Sequence, residues 1–361
     1  MGGEALSAPR NADSSDADLQ NNERPRPIEE PMPASSNPRH TSAPARTIRI
    51  GLLLFPDFSM MALAAASEPL RAANRLGGRE LYRWHLMSAD GGVVNSSSGL
   101  TLDTESFLRQ AETPDRVFVV ASLNIEQLCD ERVHHYLRQL TLKGTTIGAL
   151  STGTFVLARA GLLQGFRCTL HWESLRQFAE EFPSLHVCRE LYVRDRNRLT
   201  CAGGTAVLDL MLDQIASDHG GQLAADVAEQ FLHSRIRPPQ EQQRMAIQWR
   251  YGVHDERVAN AIVLMEQHLE EPVPMEEIAR KVNLSARQLE RLWLQHFEMT
   301  PQRFYIGVRL AEARRLLKES TESIASIAMR CGFSSPSHLS SAYRRQHGHI
   351  PGAERRKLDR S

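Results

Sequence analysis

No run of apolar residues in this sequence approaches the roughly 20 needed to cross a bilayer as a helix. No basic segment leads into an apolar stretch at the start, so a secretory signal is not expected. Cysteine is scarce. The five thiols, Cys129, Cys168, Cys188, Cys201 and Cys331, are scattered and form no C-x-x-C pair. An odd, dispersed set argues against a disulfide framework and against a zinc site, and fits reduced thiols in a cytoplasm. No metal and no cofactor are expected. Net charge is lacking as well: 43 Lys and Arg face 43 Asp and Glu.

That neutrality conceals an uneven distribution. From Lys281 to the end the chain carries 15 Lys and Arg against 7 Asp and Glu. A local basic excess of this kind points to a phosphate-facing segment.

Within it, Ile324–His347 reads IASIAMRCGFSSPSHLSSAYRRQH. Ile324, Ile327, Ala328 and Cys331 fall at i, i+3, i+4, i+7 and make one apolar face. Gly332 stands where a helix end needs positive φ. Ser335 suits an N-cap, and Pro336 suits the first helical position because its missing N–H costs nothing there. The second helix buries Leu339, Ala342 and Tyr343, which leaves Ser337, His338, Ser341, Arg344 and Arg345 outside. An apolar helix, a tight turn and a second helix with a polar outer face predict a helix-turn-helix with a reading helix.

The arrangement occurs once more upstream. Met275–Val282 is a short amphipathic helix, and Asn283–Leu284 turns the chain. Ser285 then caps a second helix, with Gln288 completing a capping box. Leu289, Leu292, Trp293 and Phe297 face inward; Arg287, Glu290, Arg291 and Gln295 face outward. A stiff helix over Thr300–Lys318 joins the two units, so they can address major-groove segments roughly 34 Å apart. A helical bundle without a DNA role shows the same apolar faces. Two capped copies and a basic tail favour the DNA reading.

PQRFYIGVRLAEARRLL followed by SIASIAMRCGFSSPSHLSSAYRRQHG resembles the DNA-binding domain of AraC-type transcription regulators over about the last hundred residues. In that family a Gly-x-x-Pro-x-x-Tyr/Phe-Arg segment closes the domain. Here GHIPGAERR places Glu354 at the aromatic position. The resemblance implies that Arg287, Gln288, Glu290, Arg291, Ser337, His338, Ser341, Arg344 and Arg345 contact double-stranded promoter DNA. It also implies RNA polymerase as a partner.

Residues 1–46 are rich in Ser, Pro, Asn, Asp and Glu. They lack the apolar surface to offset ordering entropy and are expected to be disordered. From Thr47 the texture changes. IRIGLLLF reads as a strand buried on both faces. Further strands are expected at Trp84–Ser88, Arg116–Val120, Thr146–Leu150 and Leu199–Cys201. Helices are expected at Met60–Leu76, Ile125–Leu142, Thr152–Ala160, Glu173–Glu181 and Thr205–Ser217, with a last one at Ala224–Arg235. Alternation of this kind predicts an α/β, flavodoxin-like sandwich with a mainly parallel sheet over residues 47–235. Pro238-Pro239 and the polar run after it mark a linker at 236–253. An all-α double helix-turn-helix domain then spans 254–356, with a basic tail at 357–361.

In a parallel sheet, ligands sit beyond the strand carboxyl ends. One such place is GALSTGTFVLA, which sets Ser151 between an apolar strand and a helix, as in a nucleophile elbow. The glycine two residues before the serine is missing. The stretch resembles the nucleophile loop of class I glutamine amidotransferase-like proteins of the ThiJ/PfpI type, where a cysteine usually stands. The resemblance runs from about Ile48 to Gly220 and includes FPDFSMMALAAASEPLRAANRL, ARAGLLQGFRCTLHW and CAGGTAVLDLMLDQIA. In the catalytic relatives an acidic residue follows the first strand. That place falls here near Met60, with Asp57 and Glu68 at other offsets. Serine is a weaker nucleophile than a thiolate unless a base activates it.

Two functions therefore stand. One is an amidase or hydrolase, with Ser151 as nucleophile and His171 as base, fused to a DNA-binding module. The other, favoured by the altered catalytic positions, is a non-catalytic sensor domain. The pairing of the two domains resembles regulators of arginine, glycine betaine or carnitine catabolism, and implies an activator of a catabolic operon. The effector is then an amino acid or betaine-like molecule held by Phe55, Asp57, Phe58, Ser151, Thr152, Gly153, His171 and Trp172. Relatives of the fold commonly pair, so a homodimer is expected. A third possibility is a first domain that only dimerises.

Overall fold

The computed structural model describes residues 46–109, 112–124, 129–320 and 322–358. Residues 1–45 of the disordered segment expected at the start, the first residues of the helix expected from Ile125 and the last three residues of the tail lie outside these.

The α/β part begins with β1 (Ile48–Leu54), whose residues alternate between two separate cores. Ile50, Leu52 and Leu54 enter one with α1 (Met60–Leu76), α5 (Ala206–His219) and α6 (Gly221–Gln230). Leu53 enters the other with α2 (Glu131–Leu142) and α3 (Gly153–Arg159). A strand buried on both faces must be apolar throughout, which is why IRIGLLLF has no alternation.

Beside β1 lie β2 (Tyr82–Ser88) on one side and β5 (Arg116–Ala121), then β6 (Thr146–Ser151) and β10 (Arg198–Cys201), on the other. All these pairs are parallel. Three strands not expected from the sequence complete the sheet. The hairpin β3 (Gly92–Asn95) and β4 (Thr101–Ser106) forms one edge, and β9 (Tyr192–Asp195) pairs antiparallel with β10 at the other. A small pair, β7 (Arg167–Cys168) and β8 (His186–Val187), flanks α4 (Leu175–Glu181). The architecture is a mostly parallel, flavodoxin-like sandwich followed by a helical part.

The helical part starts earlier than the sequence suggested. A short helix, α7 (Ile247–Tyr251), lies inside the expected linker, and its Ile247 and Tyr251 pack on the first helical core. That core is formed by α8 (Glu256–Gln267), α9 (Met275–Lys281) and α10 (Ala286–Phe297) around Trp293. A second, separate core is formed by α12 (Ile324–Arg330) and α13 (Pro336–His347) with Leu310, Ala313, Leu316 and Leu317. These four side chains belong to α11 (Pro301–Glu319), whose other end gives Tyr305 to the first core. One helix of 19 residues thus fastens two independently packed units.

A last helix, α14 (Pro351–Leu358), closes the chain and runs through the start of the expected basic tail. Here Glu354 is buried, at 5% exposure, and binds Arg314 Nε of α11 at 2.9 Å and His349. An ionic anchor thus occupies the place where the family resembled by this segment has an aromatic ring.

Candidate functional site

The two turns between the helix pairs are built alike. In the first, Asn283 adopts φ +58° and the Leu284 amide bonds back to the Ala279 carbonyl at 2.9 Å. In the second, Gly332 adopts φ +68° and the Phe333 amide bonds to Ala328 O at 2.8 Å. Asparagine tolerates the left-handed region because its side chain is short and polar. Glycine is required in the second turn for another reason: a Cβ at Gly332 would collide with the Leu269 carbonyl oxygen, where the second unit meets the loop after α8. Arg309 fixes the same turn. Its Nε donates to the Cys331 carbonyl at 2.7 Å and its guanidinium lies 4.2 Å from the Phe333 ring centroid.

Each reading helix then begins on a serine cap. Ser285 Oγ accepts from the Gln288 amide at 3.3 Å, and Gln288 Oε1 accepts from the Ser285 amide at 2.9 Å, the expected capping box. Ser335 Oγ accepts from the His338 amide at 3.1 Å. Leu289, Trp293, Leu339, Ala342 and Tyr343 are buried, so both helices are held by the faces that the sequence assigned to the core.

Arg287, Gln288, Glu290, Arg291, Ser337, His338, Ser341, Arg344 and Arg345 are all exposed. Two of the nine are partly committed already. The Gln288 carbonyl oxygen serves the capping box, and the His338 ring stands edge-on to Phe333 with Nδ1 3.1 Å from Ser334 Oγ. The four arginines differ from most in the chain. Among the described residues no carboxylate pairs with Arg287, Arg291, Arg344 or Arg345. In the sheet domain Arg116, Arg132, Arg159 and Arg167 each hold one. Unpaired guanidinium groups on an exposed helix face suit phosphate oxygens and the acceptor edge of guanine. Arg280 and Arg303 are likewise exposed and unpaired among the described residues, and sequence reasoning did not single them out.

The second site lies at the strand carboxyl ends. Ser151 ends β6 with φ +58°, a left-handed conformation that costs a non-glycine residue on the order of 1–2 kcal/mol. The sharp turn of a nucleophile elbow is therefore present. Gly203, itself at φ +95°, packs against it; a Cβ there would lie 2.8 Å from Ser151 Cβ. The Ser151 hydroxyl has no hydrogen-bond partner among the described residues.

The other residues weighed for a catalytic role are engaged elsewhere. His171 Nδ1 pairs with Glu173 at 3.4 Å, and Glu68 pairs with Arg71 of its own helix at 2.7 Å. Thr152 is buried and its hydroxyl donates to the Ser122 carbonyl at 2.8 Å, so that side chain is committed to the main chain. Gly153 is buried beside it. Thr154 Oγ1 donates to the Thr169 carbonyl at 2.9 Å, which brings the strand leading to His171 alongside the start of α3.

The aromatic walls expected here need correction. Phe58 is fully enclosed and belongs to one core; Phe55, at 8% exposure, belongs to the other. They enter separate cores because a turn at Pro56-Asp57, closed by the Phe58 amide bonding back to the Phe55 carbonyl at 3.2 Å, lies between them. Trp172, at 37% exposure, is the one open ring of the three. Asp57 stays accessible at φ +58°. Its carboxylate accepts from Asn124 Nδ2 at 2.6 Å and has no cationic partner among the described residues.

The linker was missed as a participant. Asp209 of α5, fully buried, accepts from Arg237 Nη2 at 2.6 Å and pairs with His233 at 2.9 Å. The chain then crosses to the far sheet edge, where the Leu191 amide bonds to Pro239 O at 2.8 Å. Gln243 Nε2 donates to Leu170 O at 3.0 Å and Glu190 O at 2.8 Å, directly before the His171-Trp172 pair. Such contacts join residues far apart in sequence, and no local pattern announces them.

Among the described residues no helix is long and apolar enough to cross a membrane, and no group of His, Cys, Asp and Glu is arranged to hold a metal.

Comparison with known proteins bears on both parts. A helix-turn-helix domain family matches residues 278–357, and the DJ-1/PfpI family matches residues 49–217. The chain is 44% identical over 306 residues to the HTH-type transcriptional regulator CdhR of Pseudomonas aeruginosa, covering 85% of this chain and 91% of that one. It is 42% identical over 306 residues to the HTH-type transcriptional regulator GbdR of the same species, covering 85% and 83%. The HTH-type transcriptional regulator GlxA of Rhizobium meliloti is 38% identical over 327 residues, covering 90% and 99%.

Proposed function

The chain belongs to the AraC-type transcriptional regulators that carry an N-terminal DJ-1/PfpI domain, and from that premise we propose that its α/β domain is a non-catalytic sensor of a small zwitterionic effector. The observation that carries the reading is the emptied elbow. Ser151 keeps the strained conformation of a nucleophile, yet no base hydrogen-bonds its hydroxyl among the described residues and His171 is paired with Glu173. A serine so placed binds better than it reacts.

The effector has a carboxylate and a cation, as in an amino acid or a betaine. Its carboxylate takes the Ser151 hydroxyl and the backbone amides beside it. Its cation takes the Asp57 carboxylate and the Trp172 face, since a desolvated cation–π contact gives about 2 kcal/mol. The protein works in the cytoplasm as a homodimer that activates a catabolic operon with RNA polymerase, because pairing sets four reading helices on one operator and raises effective concentration. The DNA contacts are those of the exposed residues on α10 and α13.

The elbow itself favours a second reading, an amidase with Ser151 as nucleophile and His171 as base. Calorimetry of the purified full chain against a panel of amino acids and betaines decides between them, with product analysis of the same samples. Saturable heat without product supports the sensor. Product that disappears in Ser151→Ala supports the enzyme and contradicts it. Light scattering tests the dimer, and a monomer at tens of micromolar contradicts that part.

A further inference from the structure

The open ring of the effector crevice is already covered by a cation of the chain's own. The guanidinium of Arg244 lies 4.5 Å from the Trp172 ring centroid. Arg244 comes directly after Gln243, whose side-chain amide holds the linker to the Leu170 and Glu190 carbonyls. This strap of linker, held at Gln243, therefore places Arg244 at Trp172. The other face of the contact leads to the helical part. Arg244 Nη1 donates to Glu266 Oε2 of α8 at 3.0 Å, and Glu266 also binds Arg250 and accepts from the Tyr251 hydroxyl at 3.0 Å. Tyr251 in turn packs edge-on against Phe297 of α10 and Phe304 of α11, at ring separations of 6.4 and 5.4 Å.

We propose that Arg244 is an internal stand-in for the effector's cation: it occupies the Trp172 ring in the absence of effector, and an incoming cationic effector displaces it and thereby shifts the Glu266 cluster on which the first helix-turn-helix unit rests. The proposal rests on the reading that the effector is cationic and sits at the strand carboxyl ends. It adds that the site is regulated by competition between ligand and linker.

The physical argument is one of exclusion. A ring face accommodates one cation within about 6 Å of its centroid, so effector and guanidinium cannot share that face. Displaced from Trp172, Arg244 keeps Glu266 as its partner and loses one of the contacts between the helical part and the sheet domain, which also include the Arg176–Glu270 and Arg330–Glu180 pairs. Any difference in Arg244 contacts between the empty and filled states is a coupling free energy between crevice and DNA. Arginine serves better than lysine here, because its planar, weakly hydrated guanidinium stacks on an indole while its edge still donates to a carboxylate.

The test uses the full chain, glycine betaine and L-arginine as probes, and two variants, Arg244→Gln and Arg244→Lys. With the competitor removed, the better-binding probe gains affinity by about fivefold in Arg244→Gln, and by less in Arg244→Lys, which keeps a cation. In the same variants the probe's effect on promoter affinity shrinks, because displacement of Arg244 is what carries it. A structural role alone gives the opposite sign, since loosening the strap weakens the probe. Equal or weaker probe binding in both variants overturns the proposal. If Arg244→Gln does not fold, the Arg244→Lys result decides by the same criterion. Trp172→Ala separates this from the underlying reading. It weakens the probe at least as much as Arg244→Gln strengthens it if the crevice is right. An unchanged affinity in Trp172→Ala, or no binding of either probe to the wild type, overturns the crevice reading and the proposal with it.

Discussion

Glu354 Oε1 lies 2.9 Å from Arg314 Nε, joining the last helix to the long helix that spans both helix-turn-helix units. Burial works to raise the Glu354 pKa. Hydrogen bonds from His349 and Arg314, with the attraction of the Arg314 charge, outweigh it and hold the carboxyl down at about 2. A folded-state pKa below the unfolded value gives stability that is present above the ordinary range near 4.5 and lost as the pH falls toward 2. The network is therefore expected to contribute on the order of 2 kcal/mol at neutral pH. In Glu354→Gln the melting transition of the helical part should fall at pH 7 and its difference from wild type should vanish near pH 2. An equal difference at both pH values would show that the carboxylate charge is not involved.

The turn of the second unit makes a sharper demand. Gly332 combines a φ of +68° with a place where an added Cβ would meet the Leu269 carbonyl oxygen. Gly332→Ala adds both backbone strain and a collision with main chain, and should cost at least about 2 kcal/mol. Asn283→Gly, at the open first turn, should cost less than about 1 kcal/mol. Chemical denaturation of the two variants checks the order, and similar losses would mean that the Leu269 contact is relieved by a small shift.

Helix α10 carries exposed Arg287 and Arg291 in its first turns, whereas α13 has Ser337, His338 and Ser341 there and arginines only further along. Arg291→Ala should therefore cost about 1–3 kcal/mol on specific DNA and relax preference at one half-site. Arg345→Ala should weaken specific and scrambled DNA alike and reduce the salt slope by about one. Binding isotherms at several salt concentrations distinguish the two, and a wild-type specificity ratio in Arg291→Ala would falsify its assignment.

Ser151→Ala removes one hydroxyl and leaves the elbow. The variant should keep its response to an effector, with a modest loss of affinity on the order of 1 kcal/mol for a single hydrogen bond. Any amide hydrolysis above buffer rate that this substitution abolishes would establish the catalytic reading instead.

The parts legible in the sequence are those that local physics dictates. Ser285 and Gln288 predicted their own capping box because both partners sit within one turn. Gly332 announced a left-handed turn, and IRIGLLLF announced a two-sided strand. Edge strands escaped notice because they carry little apolar pattern: β4 exposes Thr101, Asp103 and Glu105, and β9 is only four residues long. A rim position for Phe55 and Phe58 follows from nearness to the strand end alone; the turn at Pro56-Asp57 that sends them into separate cores leaves no strand alternation to read. Arg244 and Trp172 are 72 positions apart, and nothing in either local stretch signals their contact.

On the proposed function, occupancy of the α/β crevice changes the hold of the helical part on DNA. The direct measurement is fluorescence anisotropy of labelled promoter DNA, titrated with the full chain in the absence and the saturating presence of the amino acid or betaine that calorimetry finds to bind. The expected shift of the DNA midpoint is about 5- to 150-fold, the range of ordinary allosteric coupling. Superimposable titrations, with the effector demonstrably bound, would contradict it.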